Sequence, residues 1–162
     1  MTKKKIVLIT AITVVLATIY LIFFFDPYTK VDKNNDAFRS VVLLIDKKEV
    51  TLNELTPFDW DVMYTFSPYT PVEKMQEIMG VKSNRDISET VNEGMNQFFF
   101  VNGDKIVSSI YGYSENIGFY FDFWPENDSW GDFEYLSFKS SEAVRFSVES
   151  NDGKKTLTLI NN

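Results

Sequence analysis

The chain has no histidine and no cysteine among its 162 residues. Without an imidazole or a thiol it lacks the usual general base for a serine nucleophile, the common ligands of a zinc site and all thiol chemistry. The missing cysteine also excludes disulfides and a lipid-modified N-terminal cysteine, so apolar burial must hold any folded domain together. Glycine is sparse, seven residues placed mainly at turns. Neither G-x-S-x-G nor G-x-x-x-x-G-K-[ST] occurs, so the motifs of α/β-hydrolases and P-loop nucleotide binders are absent. There is no internal repeat and no low-complexity segment. Carboxylate chemistry remains available, and it requires two acids held several Å apart in a cleft, one with a raised pKa.

What is present begins with an apolar run. Residues 6–25 contain no charge, Gly or Pro and follow Lys3, Lys4 and Lys5. As a helix the run would span about 30 Å, the thickness of a bilayer's hydrocarbon core. A cleaved signal peptide would have a shorter apolar core and small residues just after it, whereas Val15 and Ala17 lie inside the run. The reading is therefore an uncleaved single-pass signal anchor. The lysines keep the N-terminus in the cytoplasm and place the remainder outside, at the cell membrane. Tyr20, Phe23 to Phe25 and Tyr28 would sit among headgroups, and Pro27 would end the helix.

Three of the 16 basic residues precede the run, and all 23 acidic ones follow it. That acidic balance argues against nucleic acid and against docking on anionic lipid, and suits a solubilising surface. The expected organisation is a basic end and anchor over 1–27, a short tether over 28–36 and one extracytoplasmic domain over 37–162. Val41 to Ile45 is a continuous apolar stretch that fits either a buried strand or the packed side of a short helix.

Trp60, Val62, Tyr64 and Phe66 alternate with polar or smaller residues, which predicts a strand with one face in the core. Thr70, Pro71 and Glu73 supply an N-cap, a first-turn proline and a capping glutamate, predicting a helix over 71–79 that stops at Gly80. Residues 82–96 read as a loop. Asn102-Gly103 predicts a hairpin between residues 98–101 and 105–111, and Asn151-Asp152-Gly153 a second one. Between them Phe119, Phe121 and Phe123 share one face of a strand, with Tyr120 and Asp122 on the other. The fold class expected is α+β: an N-terminal transmembrane helix, then a two-layer domain with a mostly antiparallel sheet of five or six strands and one main helix.

The pattern Phe58-x-Trp60-Asp61, Tyr64, Phe66, Pro68-Tyr69-Thr70, with the helix ending at Gly80 and the hairpin after it, resembles small membrane-anchored or lipidated bacterial proteins of unknown function. The likeness covers about residues 50 to 112, a span given to structure. It implies an exported α+β domain and no particular activity.

Three sets of residues are candidates for function. Asp59 and Asp61 flank Trp60 and would share the outer face of a strand, as a carboxylate pair or a solvated surface. Asp122, Glu126, Asn127, Asp128, Asp132 and Glu134 are oxygen-rich enough for Ca²⁺, but their spacing is not that of an EF-hand loop and a polar surface loop explains it, so no metal is assigned. Tyr113, Tyr120, Trp124 and Trp130, with Tyr111 beside them, offer rings near acids and amides that suit a partner or a sugar. The function these residues point to is a non-catalytic interaction module at the cell envelope, without a cofactor and with an envelope protein as partner. The alternative is a protein that binds or acts on cell-wall glycan through aromatics and carboxylates.

Overall fold

The structure, a computed structural model, describes Lys3 and residues 13–15, 29–92, 94–123 and 134–160. Among the described residues from Thr29 onward, twelve elements follow one another: α1 (Lys30–Leu44), β1 (Glu49–Thr51), α2 (Leu52–Leu55), β2 (Val62–Phe66), α3 (Val72–Met79), β3 (Met95–Asn102), β4 (Lys105–Tyr113), α4 (Ser114–Ile117), β5 (Phe119–Asp122), β6 (Tyr135–Lys139), β7 (Arg145–Asn151) and β8 (Lys154–Leu159).

Of the run 6–25 only residues 13–15 are described, and the rest lies outside the described residues. Among the described residues no helix is long and apolar enough to cross a membrane. This corrects the expected transmembrane helix and signal anchor, and the single-pass membrane location deduced from them. An apolar run of that length permits a membrane span without requiring one, because helices buried in a protein core are apolar too.

Helix α1 occupies residues 30–36, where a tether was expected. Thr29 opens it with a reciprocal capping box: its hydroxyl accepts from the Asp32 amide, and the Asp32 carboxylate accepts from the Thr29 amide at 2.8 Å. The Thr29 hydroxyl also donates to that carboxylate at 2.7 Å, and this bond together with the one from the Thr29 amide holds the Asp32 carboxyl below its ordinary range. Phe38 and Val42 are four residues apart on one face, and both are fully buried. Residues 38–44 are thus helix, not strand. The asparagines of the first turns are equally committed. Asn34 donates to the Val107 carbonyl, and the Asn35 side-chain oxygen accepts from the Ser109 amide and the Ser108 hydroxyl, each at 2.8 Å. They satisfy the edge of β4, which would otherwise lie open.

The eight strands form two four-stranded sheets, ordered β1-β7-β8-β5 and β4-β3-β2-β6. This replaces the single sheet of five or six strands. The pairings that divide the strands are non-local: β1 joins β7, β6 joins β2, and β5 lies parallel to β8 with Phe121 opposite Leu157. Both expected hairpins are present, β3 with β4 and β7 with β8. Gly103 and Asp152 take the positive φ that their tight turns require.

The two sheets and α1 share one aromatic core. Phe38 packs against Phe98 and Phe100 of one sheet and Phe119 and Phe121 of the other, with ring centroids 5.4 to 6.1 Å apart. Such tilted and edge-on contacts each add about 0.5–1.5 kcal/mol to the burial of the rings. A second, smaller core lies on the far side of β3, where Phe99 and Val101 meet Phe66, Met75 and Met79. Covered on both faces, β3 is buried from Asn96 to Val101. The polar pair Asn96 and Gln97 is carried into the interior with it.

Helix α3 starts at Val72, one residue later than expected, and its cap is not Thr70. The Thr70 hydroxyl donates to the Ser67 carbonyl at 2.7 Å, and the Val72 amide is met by the Glu89 carboxylate at 3.0 Å. Glu89 therefore supplies from a distant loop the negative charge that a helix N-terminus favours.

Candidate functional site

Asp59 and Asp61, weighed as a carboxylate pair or a solvated surface, line one surface hollow together with Trp60. The chain bends at Asp61, ahead of β2, instead of running extended through residues 59–61. Trp60 turns into the main core, its ring against Phe100 and its indole N–H donating to the Thr56 hydroxyl at 2.9 Å. The Asp61 carboxylate accepts from the Gly103 amide at 2.7 Å, fastening the β3–β4 turn to the start of β2. Its main chain is also spent, on the Val101 carbonyl and the Ser140 amide. Asp61 is a clasp between strands.

Of the oxygen-rich segment, Asp122 and Glu134 are described, while Glu126, Asn127, Asp128 and Asp132 lie outside the described residues. Among the described residues no three carboxylates approach closely enough to hold a metal ion. Trp124 and Trp130 also lie outside the described residues. Tyr113 and Tyr111 are placed and hold a loop. The Tyr113 hydroxyl accepts from Asn92 at 2.7 Å, and the Tyr111 hydroxyl donates to the Glu89 carbonyl at 3.1 Å. Of the described members of the ring set, Tyr120 lines a cavity.

That cavity, about 380 Å³, lies at the N-terminal end of β3, just beyond the end of β2. Phe66, Phe121 and Phe123 give it aromatic walls, and Tyr69 stands at its edge with more than half its surface exposed. Thr65, Thr90, Asn96 and Gln97 supply buried polar groups, and no charged side chain is among its described lining residues. Burial pushes the Tyr120 phenol above its usual range, with the nearby Asp122 carboxylate adding to the shift. The ring therefore stays neutral at ordinary pH.

The local architecture keeps this space open. The Ser67–Thr70 turn carries the chain away from β3, and Tyr69 holds a left-handed backbone, φ 66°, that costs a non-glycine residue about 1–3 kcal/mol. Its amide donates to the Thr90 carbonyl at 3.2 Å, joining the turn to the segment opposite. Residues 83–92 are pinned by side chains: Gln97 donates to the Ser88 carbonyl at 2.5 Å and Ser109 to the Asp86 carbonyl at 2.8 Å. On the inner side, Asn96 acts like a short piece of neighbouring strand. Its oxygen accepts from the Phe121 amide at 2.8 Å, and its nitrogen donates to the Phe119 carbonyl at 3.1 Å. One buried side chain thus ties the end of β3 to the outer edge of β5, the last strand of its sheet.

Two polar atoms in the cavity's lining residues have no such employment. Thr90 and Gln97 each retain only 4% of their surface, and among the described residues the Thr90 hydroxyl and the Gln97 side-chain oxygen have no hydrogen-bond partner. A buried polar atom left unsatisfied costs about 1–3 kcal/mol, so native proteins seldom retain one without a use for it. Both residues were missed at the level of sequence, because Thr90 sits in a stretch read as a plain loop. The available signal was Asn96-Gln97, two amides entering the apolar stretch Phe98 to Val101.

Comparison with protein-family models, with curated proteins and with solved structures finds no match. The functional reading therefore rests on the geometry of the site.

Proposed function

We propose that this domain is a non-catalytic recognition module whose binding site is the cavity at the end of β3. The observation that carries the proposal is the pair of buried, unpartnered polar atoms on Thr90 and Gln97 beside an uncharged, aromatic-walled space. Concave apolar sites with a few placed polar groups are the usual form of small-ligand pockets. Its described lining residues offer no nucleophile–base pair and no pair of acids, which suits binding better than chemistry. The half-buried Tyr120 ring favours a flat or ring-shaped ligand, which keeps a glycan among the partners such a module would take.

A thermal-shift screen of uncharged and charged fragments tests the proposal, run on the wild type and on Met95→Trp, whose larger side chain would occupy the cavity. Stabilisation by uncharged fragments that disappears in the variant is the expected result. Hits confined to charged fragments, or hits that persist in Met95→Trp, would contradict it.

A further inference from the structure

We infer that the group recognised in this cavity is an uncharged amide; the inference rests on the cavity being the binding site. Gln97 specifies the first half of the complement. Its side-chain nitrogen is committed to the Ser88 carbonyl, which fixes the plane and orientation of the amide and leaves the oxygen as an acceptor. An acceptor fixed in this way calls for an N–H or O–H from the ligand.

Thr90 specifies the second half. A hydroxyl both donates and accepts, so it can serve a ligand carbonyl. The edge of β3 offers the same combination. The Gln97 carbonyl accepts the Thr65 hydroxyl at 2.8 Å and so points toward β2. Backbone groups alternate sides along a strand, so the N–H and C=O of Met95, two residues earlier, turn the same way. There β2 has already ended at Phe66, and the cavity takes its place. A planar group carrying one donor and one acceptor matches this lining as a neighbouring strand would.

Charge and shape narrow the class. A carboxylate or ammonium would lose its hydration with no described charged side chain in the lining to compensate, a cost of several kcal/mol per ion. The remaining walls are Phe66, Phe121, Phe123 and Met95, which suit a methyl or methylene beside the amide better than a fully hydroxylated surface. An acetamido group on a sugar and a peptide bond between small residues both present that chemistry.

The test is an NMR titration of the full chain, following the Thr90 methyl and the Gln97 side-chain NH₂ signals. The probes are N-acetylglucosamine, N-acetylalanine methylamide, glucose and acetate. Saturable shifts at both residues with at least one amide, and none with glucose or acetate, are expected, and whichever amide binds names the source. Thr90→Val should weaken that binding about tenfold, the effect of one hydrogen bond. Equal binding of amide and glucose would overturn the amide assignment and leave the cavity reading standing. Shifts from none of the four would also overturn it, with the cavity reading then judged by the fragment screen. Unchanged affinity in Thr90→Val would remove the hydroxyl from the proposed contact and overturn the inference in this form.

Discussion

Two threonines line the same cavity, are equally buried and face opposite fates on substitution by valine. The Thr65 hydroxyl donates to the Gln97 carbonyl at 2.8 Å, whereas the Thr90 hydroxyl has no partner among the described residues. Valine copies the branched shape of threonine and removes only the oxygen's hydrogen bonding. At residue 65 the exchange deletes a satisfied bond and leaves a carbonyl with one fewer donor, a loss of about 1 kcal/mol. At residue 90 it removes a buried group that is already unsatisfied and replaces it with a methyl, a gain of about 1 kcal/mol. The backbone tie from the Tyr69 amide to the Thr90 carbonyl survives either change. For a domain of this size each kcal/mol moves the melting temperature by about 4 °C. Thermal unfolding of the ligand-free protein should therefore show Thr90→Val above the wild type and Thr65→Val below it. A fall of several degrees in Thr90→Val would mean that its hydroxyl is bonded in the free protein, and the argument from an unpartnered hydroxyl would be lost.

Three further outcomes follow from the same structure. Phe38→Ala should cost about 3–5 kcal/mol in urea unfolding, because the ring is fully buried between the two sheets; a cost below 1 kcal/mol would mean that α1 does not pack into the core. Asn96→Leu strands the buried Phe121 amide and Phe119 carbonyl and should cost about 3 kcal/mol, with hydrogen exchange at Phe121 accelerating; intact protection there would show that β5 is held by other means. The Glu54 carboxyl is held down to about 2 by Lys47 and by the amide and hydroxyl of Thr51. Because its folded pKa lies below the ordinary 4.5, its contribution is complete above that pH and fades as pH falls toward about 2. The stability gap between wild type and Glu54→Gln should close over that window, and a gap that stays constant with pH would show that the capping charge contributes nothing.

Local chemistry made part of this fold legible in the sequence. Asn102-Gly103 and Asn151-Asp152-Gly153 mark their turns because few other residues tolerate the backbone required, and Gly80 ends α3 with a left-handed φ of 65° for the same reason. Phe119 and Phe121 lie on the buried face of β5 as their alternation predicts. What stayed hidden depended on distant partners. The polar start of α1 looked like a tether because Asn34 and Asn35 find their bonds on β4, more than seventy residues away. The division into two sheets depends on β1 meeting β7 and on β5 running parallel to β8, which no local pattern announces. At the site, Tyr120 could be singled out as a ring turned away from the main core. Thr90 and Gln97 could not, because what distinguishes them is a missing partner, and that is visible only once burial is known.

The most direct test of the central claim is chemical-shift mapping over the whole domain with the tightest uncharged ligand found in the fragment screen. Shifts should concentrate on Thr65, Tyr69, Thr90, Met95, Gln97 and Tyr120, with the β7–β8 hairpin unaffected. Shifts centred on that hairpin, on the clasp at Asp61 or on the face of α3, with the cavity residues silent, would contradict the claim.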